Sequence, residues 1–304
     1  LVGSLVGYAI ASIGFNQLEE ILTEDPDFFS DEQLAGLQER IEAISFEEWT
    51  HVEGERAFLL DVVQRIYSDD GDGDGRITPE GLNILWNYLS GLEKPISDTG
   101  DESIDSYIRV GRQAIAPAAL FVMAGRKETV DIAREYYQQY ETAKSTPFWE
   151  REPIDMEEFL DANATRYAVL ANLLPAFNSV IGAMDRLIGR QEGVLAALAA
   201  HRYYLKNKQW PASIMDCSPE FCNEVSIDIV NGNHLLMKID EIGPVFYSVG
   251  LDKDDDGGVQ VINKYNAYVA AAQFNTNRDE PEGNGDWIVW PQERYSKRGR
   301  VETQ

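Results

Sequence analysis

The chain is short of positive charge, histidine and cysteine, and each shortage argues against a class of function. Of 304 residues only 26 are Lys or Arg, against 52 Asp or Glu, for a net charge of −26. Residues 1–100 alone hold 21 acids and 5 bases. Such a surface has little with which to displace counterions from phosphates, so it does not suit nucleic acid or anionic membrane. It does suit cations. The three histidines, His51, His201 and His234, are isolated, and no His-Glu-x-x-His zinc pattern occurs. Nucleophile-elbow, phosphate-loop and dinucleotide signatures are missing too. Adjacent acids such as Glu47/Glu48 and Glu157/Glu158 point in different directions on a helix, so an acid–base pair would have to be assembled in space. No apolar run reaches the roughly 20 residues of a membrane helix. The uncharged stretch 1–15 reads as a buried first helix, or as the tail of a removed anchor or signal segment upstream of Leu1.

Only two cysteines are present, Cys217 and Cys222, separated by Ser-Pro-Glu-Phe. That spacing is expected to form a small disulfide loop, which points to an oxidising compartment; the alternative is two unlinked thiols. Without a nearby His or further Cys the pair makes a poor zinc site.

What the chain has in quantity is aspartate beside glycine. Residues 70–81 read Asp-Gly-Asp-Gly-Asp-Gly-Arg-Ile-Thr-Pro-Glu-Gly. Carboxylates at alternate positions of a tight loop converge on one point, as a hard cation with six to eight oxygen ligands requires. The stretch resembles an EF-hand loop, with Asp70, Asp72 and Asp74 as ligands and Gly75 at the turn. Arg76 would offer its carbonyl, and Ile77 would face the core. Gly81 stands where the bidentate Glu is expected, so Glu80 or water would complete the shell.

Hydrophobic residues make up 44% of the chain, enough for two domains with their own cores. The first two-thirds carry helical periodicity: residues 3–22, a helix capped by Ser30, a third from about Phe46 to Ile66, and a fourth led by Pro79. Further helices are expected at about 105–123, 126–144, 156–187 and 191–207, with a surface loop at 93–104. The Tyr136, Tyr137 and Tyr140 cluster reads as packing rather than a ligand-stacking face. Beyond Trp210-Pro211 the pattern turns to short strands at 225–230, 235–239, 244–249 and 287–290. The fold class is therefore α+β: a large all-α domain, 1–188, then a small α+β domain, 189–304, of one long helix and a short antiparallel sheet.

A second acidic run, Tyr247-Ser-Val-Gly-Leu-Asp-Lys-Asp-Asp-Asp-Gly-Gly258, precedes Gly285-Asp286-Trp287-Ile288. Asp252, Asp254, Asp255 and Asp256 put four acids in five residues, whose mutual repulsion a bound cation would relieve. The strand end, the Gly-Gly pair and the later Asp resemble the calcium loop of the type II secretion major pseudopilin. The matching residues are Ser248, Gly250, Asp252, Gly257, Gly258 and Asp286. The helix Val194 to Pro211 and the segment Asp228 to Lys238 are similar to that family's helix end and following turn. The likeness covers about residues 190–290. Here about 190 residues precede it, Ile follows Asp228, and 27 residues separate Gly258 from Asp286. The whole chain also looks like large planctomycete-type bacterial proteins that end in such a module. The resemblance implies calcium ligands at Ser248, Asp252 and Asp286, and the acidic run adds Asp256.

The expectation is a non-enzymatic, calcium-binding extracytoplasmic protein with structural ion sites. It would take part in cell-surface assembly, adhesion or secretion-related interaction, through a protein partner or self-assembly. The alternatives are a hydrolase with paired carboxylates in an inter-domain cleft and an EF-hand calcium sensor.

Overall fold

The computed structural model describes residues 1–69, 71, 74–92, 122–152, 155–174, 177–241, 243–250, 252–259 and 285–292, with the side chains of 86–92 excepted. Asp70, Asp72, the surface loop at 93–104 and nearly all of the helix expected at 105–123 lie outside these residues. Among the described residues there are eight α-helices. They are α1 (Val2–Glu24), α2 (Asp31–Glu42), α3 (Glu53–Ile66), α4 (Pro79–Leu92), α5 (Arg126–Ser145), α6 (Met156–Ala162), α7 (Ala168–Leu173) and α8 (Phe177–Asn207). An antiparallel sheet of order β1-β2-β3 follows, with β1 (Leu236–Asp240), β2 (Gly243–Ser248) and β3 (Trp287–Trp290). The α+β class is as the sequence implies.

The chain divides into two compact units: Leu1–Thr50 with Lys144–Arg151 and Asn178–Gln304, and His51–Ala143 with Glu152–Phe177. Neither is a contiguous half of the sequence, unlike the expected domains 1–188 and 189–304. The reason lies in the core of the first unit. Tyr8, Phe15 and Leu22 of α1 and Leu34 and Ile41 of α2 share one buried cluster with Val194 and Leu198 of α8, Phe246 of β2 and Trp290 of β3. Burying such side chains stabilises by about 1.5–3 kcal/mol each, so the sheet takes its apolar cover from the start of the chain.

Several local signals hold. Ser30 caps α2 through a complete capping box: Ser30 Oγ accepts from the Gln33 N–H at 3.3 Å, and Gln33 Oε1 accepts from the Ser30 N–H at 2.9 Å. Thr78 caps α4 by accepting from the Gly81 N–H at 2.9 Å, with Pro79 as first helical residue. Others do not. The third helix starts at Glu53, not Phe46, and the segment expected as one helix over 156–187 is divided between α6, α7 and the start of α8. The rest of α8 absorbs the helix expected at 191–207. No strand forms at 225–230. Ile227 makes a single bridge to His234, and Asp228 accepts from the Gly232 N–H at 2.8 Å in a tight turn. The first helix is buried on one face only: Ser4, Tyr8, Phe15 and Leu22 point inward, while Val2, Val6, Ile10 and Ile13 stay 54–75% exposed. No described helix is long and apolar enough to cross a membrane.

Two ion pairs, one buried and one partly so, tie the first unit. Arg151 forks onto Asp185 at 2.6 and 3.0 Å, and Arg190 meets Glu19 at 3.1 Å. Gln292 closes the second pair, accepting from Arg190 at 2.7 Å and donating its N–H to Glu19 at 2.9 Å. In the second unit Tyr136, Tyr137 and Tyr140 are buried around Phe177, with Tyr136 stacked on its ring at 4.8 Å. They pack, as expected. Cys217 and Cys222 are buried free thiols, which corrects the expected disulfide. Both lie in the apolar core of the first unit, where cysteine serves as a small hydrophobe, and burial pushes the Cys217 thiol up to about 12.

Candidate metal centre

The loop between β2 and β3 begins where Ser248 leaves the sheet. The hinge is Asp228, buried in the 228–232 turn. Its Oδ1 accepts from Ser248 Oγ at 2.7 Å and the Val230 N–H at 2.8 Å, and its Oδ2 accepts from the Val249 N–H at 3.0 Å. Ser248 is expected as an ion ligand through its side chain or main chain; its hydroxyl donates to Asp228 and accepts from the Gly250 N–H at 3.2 Å. That hydroxyl fixes the loop's first turn. Asp228 escaped the sequence reading as a functional residue; the signal available was the Asp-x-x-x-Gly turn it opens.

Beyond that turn the acids gather. Carboxylate oxygens of Asp252, Asp254 and Asp256 lie within 4.8 Å of one another, the one such group of metal-ligating side chains among the described residues. Asp255 is turned away: it accepts from the Tyr247 hydroxyl at 3.2 Å and from the Gly257 N–H at 2.9 Å. Gly257 and Gly258 both have φ above +70°, a conformation that side chains disfavour, and this lets the chain reverse beside the acids. The Lys238 ammonium holds that reversal from β1, donating to the carbonyls of Gly257 at 3.0 Å and Gly258 at 2.7 Å.

Asp286 arrives from the other side. It is 1% exposed, and its Oδ2 accepts from the Gly258 N–H at 2.6 Å while its own N–H donates to the Val259 carbonyl at 2.7 Å. The Gly285 N–H donates to Asp252 Oδ2 at 2.9 Å, so both flanks of the loop are stitched together. Asp286 Oδ1 and Asp256 Oδ2 are buried without a hydrogen-bond partner. Burial first, and then the charges of Asp255 and Asp256, push the Asp286 carboxyl up to about 6. Loss of solvent and the charges of Asp252 and Asp256 likewise raise Asp254. A buried acceptor left unmade costs about 1–3 kcal/mol, and crowded carboxylates add repulsion; a hard cation removes both. The donors are all carboxylate oxygens, the ligand type that hard cations prefer.

Of the stretch 68–81, the described residues pair at their ends: the Ser68 N–H donates to the Arg76 carbonyl at 2.8 Å, and Tyr67 bridges Ile77. The Arg76 carbonyl, expected at the seventh ligand position, accepts this one hydrogen bond. Ile77 is buried, as expected. Asp74 and Glu80 are exposed, and Asp74 faces Gly125 just ahead of α5. At Gly81 any side chain would run into the carbonyl of Ile66, so no bidentate Glu fits at that position.

The histidines hold no shared site. His51 and His234 are exposed, and His201 is buried between the carbonyls of Ala197 at 2.7 Å and Leu22 at 3.3 Å, with burial lowering its pKa. Comparison with known proteins adds no relative: no family model, curated protein or solved structure matches this chain.

Proposed function

We propose that the chain is a non-enzymatic calcium-binding protein whose ion is structural. The ion would be held by Asp252, Asp254 and Asp256 with Asp286 behind them. The observation that carries this reading is the pair of buried acceptors, Asp286 Oδ1 and Asp256 Oδ2, beside three converging carboxylates. In this reading the ion neutralises the loop and locks the β2–β3 connection to the sheet, so part of its binding free energy becomes folding free energy. An extracytoplasmic setting suits it, because the millimolar calcium found there fills weak sites. That setting rests on calcium supply and not on a disulfide, since Cys217 and Cys222 are free. A role in cell-surface assembly, adhesion or secretion-related interaction follows from the resemblance of residues 190–290 and belongs to the same proposal.

The test is calorimetric melting of the whole chain with calcium, with magnesium and with a chelator. Calcium at a hundred times its dissociation constant raises stability by about 2.7 kcal/mol. Asp256→Asn is expected to remove most of that gain, and Asp74→Asn to leave it in place. A melting temperature indifferent to calcium and chelator would overturn the reading.

A further inference from the structure

Helix α1 is buried along one side only, and what it leaves outside is not scattered. Gly3, Val6, Ile10, Ile13, Gln17 and Glu20 are all exposed, and their alternating spacing of three and four residues is that of a coiled-coil seam. Val2 and Gly14 flank the seam and are exposed too. Trp49, 39% exposed, widens the patch where its ring lies over Gly7. A contiguous apolar patch of this kind, roughly 300–600 Å², marks an interaction site on a monomer.

Three properties of the face select a second copy of this chain as its occupant. The first is charge. No Asp, Glu, Lys or Arg occurs in residues 1–18, whereas the whole chain carries −26. Two copies repel one another over most of their surface, and this helix offers an approach that brings no like charges together. The second is shape. Laid antiparallel to itself about residue 8, the helix sets Val2 against Gly14, Gly3 against Ile13 and Val6 against Ile10. A Cβ at Gly3 or Gly14 would meet nothing within 4 Å in the single chain, so both are open notches, each facing a branched side chain of the second copy. Parallel pairing in register would set notch against notch, and Glu20 against Glu20. Close packing of two helices requires large residues opposite small ones, which the antiparallel pairing supplies. The third is area. Two such patches together remove roughly 1,000 Å² from water, the size at which specific interfaces begin.

We propose that the chain forms a two-fold dimer through α1, with the helices antiparallel and in contact over residues 2–14. The proposal stands apart from the calcium reading, since the acidic loop takes no part in it.

Sedimentation velocity of the full chain with calcium present, from roughly micromolar to hundred-micromolar concentration, reads the association. The expected result is a monomer–dimer equilibrium that tightens with added salt, because salt screens the repulsion outside the helices. Ile10→Glu should weaken it at least about tenfold. At a position 65% exposed, that change should leave the melting temperature of the monomer in place. Gly14→Leu is the sharper probe. It adds apolar surface and helix propensity, yet it should weaken the dimer by filling the notch that Val2 enters; nonspecific adhesion would grow stronger instead. Ile239→Glu, exposed on the edge strand β1, should change nothing. A monomer at every concentration, a dimer indifferent to Ile10→Glu, or one strengthened by Gly14→Leu would each overturn the proposal. So would capture of the monomer by phosphatidylcholine vesicles with no dimer formed, which would assign the face to lipid.

Discussion

At position 81 a side chain would collide with the Ile66 carbonyl, because the end of α3 lies directly against the start of α4. The sequence pattern puts Gly81 where an EF-hand carries its bidentate Glu; the packing makes it the residue that lets two helices meet. The two views predict opposite results. Gly81→Glu restores the ligand pattern on paper, yet it is expected to destabilise the chain by about 1–3 kcal/mol through overpacking, with no gain in calcium affinity. Urea melts with and without calcium decide between them. Asp228 and Ser248 teach the same lesson from the other side. The resemblance assigns an ion to Ser248 and none to Asp228, but the hydrogen bonds make Asp228 the anchor and Ser248 its partner.

Among the elements, α2 is the one whose start is most completely written in sequence. Ser30 and Gln33 satisfy each other's backbone N–H groups, and Asp31 and Glu32 sit where the helix dipole favours negative charge. Ser30→Ala is expected to cost about 1 kcal/mol, read as a lower denaturation midpoint at unchanged slope. The strands were less legible. The run 225–230 has the alternating residues of a strand, yet Glu192 takes the Ile227 N–H and Asp228 takes the Val230 N–H. Side-chain acceptors take these N–H groups, and backbone pairing is limited to a short bridge with 233–235, which periodicity cannot show.

For the whole molecule, the consequential fact is that residues 1–50 belong with the sheet. Phe15, Leu22 and Leu34 are almost fully buried in the cluster that holds Phe246 and Trp290. A fragment of residues 189–304, which the composition shift near 190 suggests as a domain, would expose that apolar surface. It is expected to show no cooperative thermal transition, whereas the full chain shows one; differential scanning calorimetry of both checks this.

The sequence alone determined the α+β class, the capped helix starts, and the two acidic loops as places of interest. These follow from short-range rules: helical spacing, side-chain caps, glycine at tight turns. Only the tertiary structure decided which acids converge, because Asp286 reaches Asp256 across 29 intervening residues. Only it showed that Ser248 answers to Asp228, that the cysteines stay free, and that the first helix completes the C-terminal core. Each of these depends on contacts between residues far apart in sequence, where burial and the pairing of polar groups, not local propensity, set the outcome.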